Sequence, residues 1–313
     1  MKSTYIWMDG ELIPFEDATV HFLSPTVQYG FGTFDGIRCY ETPDGPAVFR
    51  LKDHLKRFVD SNHIVGITDF QYTVDELRKA VHETIEANGF SSCYIRPAVY
   101  VDGPLALNSD QYSSHTGIAA WEWGTYLGED ALEQGVRMTI SSLTRLHPNV
   151  HMTKAKAAGN YINSIMASTL AHRNGYDDAI MMDPEGYVAE GSGMNIFVVR
   201  DNIIYTPYRA SVLEGITRDS VITISREIGY TLVEEPIVRD QLYIADEIFV
   251  TGTAAEVTSV TEIDTRVIGS GRMGPVTRSV QKEFFNTVHG EGFHSHEWLD
   301  YVKTSVMADI QVG

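Results

Sequence analysis

The first hundred residues alternate short β-rich runs with turns. In YIWMDGELIPF the Asp9-Gly10 pair separates two such runs, a strong hairpin signal because Asp-Gly accepts the positive φ of a two-residue turn. GIRCYET and PDGPAVF continue the β-rich pattern. From about Leu51 to Ile64 the period changes: Leu51, Leu55, Phe58 and Val59 recur at helical spacing among charged residues. A second helix is expected to start at Thr73 as N-cap, ahead of Asp75 and Glu76, and to stop at Gly89 before the strand CYIRPAVYV. The strand GIAAWEW follows, and then a Gly-flanked acidic segment, GTYLGEDALEQG, breaks the pattern.

Beyond that break VRMTISSLTR reads as a strand and AAGNYINSIMASTLAHRNGY as a helix stopped by Gly175. DDAIMMDPEGYVAEGSGMNIFVVRDNIIYTP reads as a meander of strands joined by Pro-Glu-Gly and Asp-Asn turns. TRDSVITISREIGY is expected to be helical between Thr217 as cap and Gly229, burying Val221, Ile222, Ile224 and Ile228, and the tail returns to helix. A length of 313 residues exceeds one ordinary core. The pattern therefore predicts an α+β protein of two domains: a small N-terminal domain over 1–124, a connecting loop over 125–135, and a larger C-terminal domain over 136–313. There is no internal repeat and no low-complexity segment, which removes solenoids and propellers.

Composition narrows the function classes. The hydrophobic fraction of 43%, with 16 Tyr and 13 Phe, is enough for a real core. No apolar run approaches the roughly 18 residues of a membrane helix, and the start lacks the apolar core of a signal peptide, so a cytoplasmic location is expected. Cys39 and Cys93 have neither metal-type nor redox-type spacing and read as small buried apolar residues; no metal site is expected. The formal charge of -18 repels nucleic acid and anionic membranes. An anionic ligand would have to be met by local cations or backbone N–H groups, which directs attention to basic residues and glycine turns.

Five places could carry such chemistry. Lys154 and Lys156, in TKAKAAGNYINS, stand among small residues just before a helix, where a planar ring has room and a poorly hydrated amine becomes a nucleophile. A solvated lysine is the ordinary alternative. Glu190, in YVAEGSGMNIF, is an acid in an apolar strand at a Gly-Ser-Gly turn; it could pair with a protonated pyridine nitrogen or simply cap the turn. Gly215 and Thr217, in VLEGITRDS, sit at a helix N-terminus suited to phosphate. In VTGTAAEV, Thr253 offers a hydroxyl and Ala254 and Ala255 offer backbone N–H groups, unless the segment is only a tight turn. Arg57, in LKDHLKRF, lies opposite the apolar stripe, where most arginines are merely solvated.

Taken in order, YGFGTFDGIRCY, DHLKRF, YIRP, KAAGNY, EGSGMNIF, LEGITR and GTAAEV resemble the branched-chain aminotransferases of the class-IV, fold-type-IV pyridoxal-phosphate family, over nearly the whole chain. The resemblance implies a two-domain α+β fold like that of D-amino-acid aminotransferase and pyridoxal 5'-phosphate (PLP) as cofactor. It makes Lys156, inside the KAxGNY pattern, the Schiff-base lysine and proton carrier, and leaves Lys154 outside it. Tyr161 would bond the phenolate oxygen, Glu190 the pyridine nitrogen, and Arg57, Ile216, Thr217 and Thr253 the phosphate, with Gly215 in the same turn and Leu213 against the ring. Tyr29, Phe34, Gly36, Arg38, Tyr94, Arg96, Trp123 and Tyr126 would form the substrate pocket. Ala254 and Ala255 would meet the α-carboxylate, and Arg96 the distal carboxylate of glutamate.

The implied reaction moves the amino group of L-leucine, L-isoleucine or L-valine to 2-oxoglutarate, reversibly and by ping-pong kinetics. A D-amino-acid or (R)-amine transaminase of the same fold, or a lyase acting on aminodeoxychorismate, is the alternative within enzymes; YIRP with GTAAEV favours the branched-chain branch. A non-catalytic binding protein of this fold is disfavoured by the complete set Lys156, Tyr161, Glu190 and Arg57. The resemblance also implies self-association, at least a homodimer, with Leu105 and Leu107 as candidates for a loop lent to a neighbouring subunit; dimer and hexamer are left open. Two positions depart from the family pattern, which usually has Glu at each: Asp35, expected near the pocket floor, and Met194, expected near the cofactor turn. Both departures are expected to bear on substrate range.

Overall fold

A computed structural model describes residues 3–124, 126–128, 130–208 and 212–302. Residues 125 and 129 of the expected connecting loop, and 303–313 of the expected second domain, lie outside the described residues. The first elements are β1 (Tyr5–Met8), β2 (Glu11–Pro14), α1 (Pro25–Tyr29), β3 (Thr33–Phe34), β4 (Ile37–Thr42) and β5 (Gly45–Phe49). Next come α2 (Leu51–Val65), α3 (Val74–Asn88), β6 (Cys93–Asp102), β7 (Ser113–Trp121), α4 (Ala131–Gln134), β8 (Val136–Ile140) and α5 (Tyr161–Arg173). Then follow β9 (Asp178–Met182), β10 (Val188–Gly191), β11 (Asn195–Arg200), β12 (Ile203–Thr206), α6 (Ile216–Glu227), β13 (Thr231–Glu234) and α7 (Arg239–Tyr243). The last are β14 (Glu247–Gly252), β15 (Glu256–Ile263), β16 (Arg266–Val267), α8 (Pro275–Val288), α9 (Ser295–Trp298) and β17 (Leu299–Tyr301).

Two compact units result. One comprises Met1–Trp123, Ala155–Gly159 and Thr287–Gly313; the other comprises Gly124–Lys154 and Asn160–Asn286. A single division at 125–135, with everything later in one C-terminal domain, is thus corrected for two segments. Residues 155–159 join the first unit because Phe34 N donates to Lys156 O (3.1 Å) and Ala158 N to Gly32 O (2.9 Å). The chain end joins it because β17 pairs with β5. The lysine expected in the larger domain therefore belongs, by its contacts, to the first unit.

In the first unit eight strands form one antiparallel sheet, ordered β17-β5-β4-β6-β7-β1-β2 with β3 on β6. The β1–β2 turn uses Asp9 (φ 48°) and Gly10 (φ 106°), the positive-φ pair that Asp-Gly accommodates. α2 buries Leu51, Leu55 and Phe58 and stops at Gly66 (φ 83°). α3 has the full capping box, Thr73 Oγ1 accepting from Glu76 N and the Glu76 carboxylate from Thr73 N, and ends at Gly89. Both helices feed one core with Ile37, Leu77, Val81, Ile95 and Ile118. Cys39 and Cys93 face each other across β4 and β6, free and buried.

In the second unit nine strands run in the order β10-β9-β8-β15-β14-β11-β12-β13, with β16 on β15. The expected run of strands holds in its two antiparallel hairpins, β9–β10 and β11–β12, but is no continuous meander, because β11 pairs with β14 and not with β10; beyond it β8–β9, β8–β15 and β12–β13 are parallel. Parallel neighbours need a crossover, and α5 and α6 lie in the connections from β8 to β9 and from β12 to β13. α5 starts only at Tyr161, after a 3-10 turn at Ala158–Asn160. α6 starts at Ile216 with Gly215, not Thr217, as its N-cap, because Gly215 is the last residue with extended backbone (φ -67°, ψ 130°). Among the described residues no helix is long and apolar enough to cross a membrane, and no group of His, Cys, Asp and Glu could hold a metal ion.

Candidate active site

Lys156 is carried by a short extended segment bound edge-on to the first unit's sheet. Thr33 bridges Ala157, and Lys156 N donates to Ser61 Oγ (3.0 Å), whose hydroxyl donates to Arg57 O (2.7 Å). The lysine backbone is thereby tied to α2 at the carbonyl of Arg57. Lys156 Nζ lies 5.2 Å from the centre of the Phe34 ring. Lys154, in the second unit, is held elsewhere: its Nζ donates to Val212 O (3.0 Å) and lies 3.5 Å from Glu214.

Arg57 is not the solvated helix arginine that its spacing allowed. Its Nε donates to Asp35 Oδ2 (2.8 Å) and its Nη2 to Asp35 Oδ1 (2.7 Å), a two-pronged ion pair with a carboxylate that is fully buried. Asp35 Oδ1 also accepts from Gly36 N (2.7 Å) and from His54 Nδ1 (2.9 Å). Burial opposes ionisation of Asp35, but Arg57 and then His54 outweigh it and hold the carboxyl well below its usual range. Burial is also the main effect on His54 and lowers its pKa against the pull of Asp35, which disfavours the charged ring, while Nδ1 donates to the Asp35 carboxylate. Asp35 therefore braces Arg57; it is not a piece of pocket floor open to substrate.

The other first-unit candidates cluster around Tyr94. Its ring centre is 4.4 Å from that of Trp123 and 5.2 Å from that of Trp121, and the Arg96 guanidinium lies 4.5 Å from the Phe34 ring centre and 5.4 Å from that of Tyr94. Arg38 Nη2 donates to Trp123 O (3.3 Å). Gly36 is required here, since a Cβ would run into the Tyr94 hydroxyl. Phe34, Gly36, Arg38, Tyr94, Arg96 and Trp123 are therefore brought together, and Trp121, which no sequence motif singled out, joins them. Among the described residues no carboxylate lies within ion-pair reach of Arg96, and its Nε is a buried donor without a partner. Tyr29 is exposed at the end of α1, outside this cluster, and Leu105 and Leu107 are exposed between β6 and β7.

In the second unit Glu190 is buried at 4% exposure and held by three donors. Its Oε1 is 2.7 Å from Arg145 Nη2, and its Oε2 accepts from Asn195 Nδ2 (3.0 Å) and Leu213 N (3.3 Å). Asn195 Nδ2 also donates to Leu213 O (3.1 Å), and a Cβ on Gly215 would strike Asn195 Oδ1. Glu190, Leu213, Gly215 and the first turn of α6, with buried Ile216 and Thr217, thus form one group. The N-cap, Gly215, has no side chain to bond the first turn of α6, and helix-opening N–H groups with the helix dipole suit an anion.

Thr253, Ala254 and Ala255 form the turn between β14 and β15, and the turn after Glu190 packs against its start, with Gly193 O 3.5 Å from where a Gly252 Cβ would lie. That second turn is pinned from below: Ser192 Oγ donates to buried Asp178 (2.8 Å), whose pKa burial raises. Beside it Tyr126, Tyr161, Ser164, Ser192 and Gly193 line a cleft of about 410 Å³. Met194 is buried in the core and packs over Gly191, so its departure from the family pattern exchanges core packing, not a pocket wall.

Asp35 as a brace, His54, Ser61, Arg145 and Asn195 are the functional neighbours that sequence reasoning missed. His54 and Ser61 carried a usable signal, standing three residues before and four after Arg57 and so near its face of α2. Arg145 had none, lying in an irregular segment after β8.

Residues 32–263 match the family model for class IV amino-transferases. The branched-chain-amino-acid aminotransferase of Pseudomonas aeruginosa is 49% identical over 299 residues, covering 95% of this chain and 97% of that protein. The chain belongs to the class IV aminotransferase family and is an aminotransferase. Its fold is that of the branched-chain amino acid aminotransferase of Escherichia coli, whose crystal structure superposes with a TM-score of 0.94 at 43% identity, covering 96% of this chain and all of that one. The T.th. branched-chain amino acid aminotransferase in complex with N-(5'-phosphopyridoxyl)-L-glutamate is similar too, with a TM-score of 0.91 at 45% identity, covering 97% of this chain and all of that one.

Proposed function

We propose that this enzyme transfers the amino group of L-leucine, L-isoleucine or L-valine to 2-oxoglutarate with PLP held on Lys156. The observation that carries the reading is the surroundings of Arg96. A cation with no carboxylate partner among the described residues stands over Phe34 and Tyr94, in a cluster completed by Trp121 and Trp123. Apolar rings suit a branched aliphatic side chain, while the guanidinium suits the distal carboxylate of glutamate or 2-oxoglutarate, so one wall serves both half-reactions. The glutamate adduct bound by the T.th. relative supports the second half of that assignment.

The residues fit PLP. Within the second unit Glu190, ion-paired with Arg145, would supply a buried carboxylate for a protonated ring nitrogen, and Gly215 at the α6 N-terminus, Ile216, Thr217 and Thr253 would supply phosphate donors; within the first unit Arg57 would supply a cation for the phosphate. Leu213 would lie against the ring and Tyr161 would meet its phenolate oxygen. When bound, the cofactor withdraws electrons from the substrate α-carbon. Lys156 Nζ takes the α-proton, and the ties of its backbone to Ser61 and Phe34 keep its base fixed while the side chain moves. The N–H groups of Ala254 and Ala255 would hold the α-carboxylate. Tyr126, with Tyr161 on the same cleft, belongs to the substrate side. A homodimer, with Leu105 and Leu107 reaching a neighbouring subunit, completes the proposal; both are exposed, Leu107 at 92%.

Replacing Arg96 with Met tests the reading. The KM for 2-oxoglutarate should rise at least tenfold while the KM for L-leucine changes less than threefold. Equal rises for both substrates would contradict it.

A further inference from the structure

We propose that Asp35 is a positioning residue for the cofactor phosphate: through a buried Asp35–His54–Arg57 cluster it fixes the direction in which the Arg57 guanidinium is presented. The inference rests on the reading of Arg57 as a phosphate ligand and deepens it. Arginine has a long stem with several rotatable bonds, and an anion it meets is bound weakly unless that freedom is removed beforehand. Here it is removed: Nε and Nη2 are both committed to one carboxylate, 2.8 and 2.7 Å away, which leaves the plane of the guanidinium no freedom to turn.

The carboxylate is itself immobile. Asp35 has no exposure, its own N donates to Pro97 O (2.9 Å), and Oδ1 takes further hydrogen bonds from Gly36 N and His54 Nδ1. His54 stands one helical turn before Arg57 on α2 and is also buried, so helix and brace are locked to each other. The same turn of α2 holds the lysine: Ser61 Oγ bridges Arg57 O and Lys156 N. One rigid piece thereby sets the phosphate cation and the reactive lysine in a fixed relation, as a short bridging anchor requires for a ligand held at two ends. Asp35 touches no reacting atom, and its effect passes through Arg57.

The test uses the full-length protein stripped of cofactor and titrated with PLP, and separately with pyridoxal, which lacks the phosphate, following cofactor absorbance at equilibrium. Asp35→Asn keeps the shape and removes the charge; it should weaken PLP binding at least tenfold and leave pyridoxal binding within twofold. Asp35→Glu restores the charge at an altered length and should fall between, about threefold weaker than the parent for PLP. A role in packing alone would reverse that order, with Asn near the parent and Glu worse, and would overturn the proposal. Arg57→Ala separates the two levels: if it leaves PLP binding unchanged, the reading of Arg57 fails, whereas if it weakens PLP but Asp35→Asn does not, only the positioning role fails. Should Asp35→Asn not fold, Asp35→Glu decides alone: weakened PLP with unchanged pyridoxal supports the role, and unchanged PLP overturns it.

Discussion

Replacing Arg145 with Met isolates what the buried ion pair with Glu190 contributes. The two side chains are 10% and 6% exposed with 2.7 Å between their charged atoms, so neither finds water when the other is removed. Breaking such a pair typically costs about 3–5 kcal/mol, because one charge is left buried without compensation. Glu190 keeps two donors, Asn195 Nδ2 and Leu213 N, which offset part of the loss and point to the lower end, about 3 kcal/mol. At roughly 2–4 °C per kcal/mol the melting temperature should fall by about 6–12 °C. The paired variant Arg145→Met with Glu190→Gln removes the stranded charge and should recover about 2 kcal/mol, a coupling that a double-mutant cycle in urea reads directly. Turnover should not recover, since the carboxylate that meets the ring nitrogen is gone. Additive losses in the cycle, or a single variant as stable as the parent, would refute the argument.

Asp300 gives a pH-dependent prediction. Burial opposes its ionisation, but His82 and Arg78 outweigh it and lower its pKa from 3.8 to about 2. A depressed carboxylate stabilises fully above its unfolded pKa, so the contribution is complete above about pH 4 and drains as the pH falls towards 2. Arg78 is 43% exposed, which discounts the interaction to about 1–2 kcal/mol. The stability deficit of Asp300→Asn in urea should therefore be present at pH 5 and shrink as the pH falls from 4 towards 2; a deficit unchanged between pH 5 and 2 would count against the pairing. Gly36→Ala should cost about 1–3 kcal/mol by overpacking against Tyr94. It should also raise the KM for L-leucine while leaving PLP affinity within twofold, and an unchanged KM would remove Gly36 from the pocket. Lys156→Ala should abolish turnover, whereas Lys154→Ala, losing its bonds to Val212 and Glu214, should retain most of it, as initial rates will show.

What could be read from the chain alone was what its neighbours in sequence decide. The Asp9-Gly10 turn, the capping box at Thr73 and the buried stripe of α2 each rest on residues within a turn or two of one another. The parallel pairs of the second unit did not show, because strand order is settled by crossovers and not by alternation. The place of 155–159 depends on backbone bonds to residues more than a hundred positions earlier. The candidate site divides the same way. Motif order named Glu190 and Leu213 separately, but only folding shows that one accepts the other's N–H, and that Arg145, with no motif of its own, supplies the counter-charge. Asp35 stands out in the sequence as a departure from a pattern, yet its role as a brace depends on an approach between β4's start and α2 that no local signal encodes.

The most direct test of the central claim is the visible spectrum of the PLP-loaded enzyme before and after L-leucine, with D-alanine and (R)-1-phenylethylamine in separate cuvettes. Branched-chain transamination predicts that L-leucine shifts the bound-cofactor band to that of the aminated form and that 2-oxoglutarate restores it, while the other two amines leave it largely unchanged. A shift with D-alanine or the (R)-amine and none with L-leucine would contradict the substrate assignment, and the absence of any cofactor band after loading with PLP would contradict the cofactor itself.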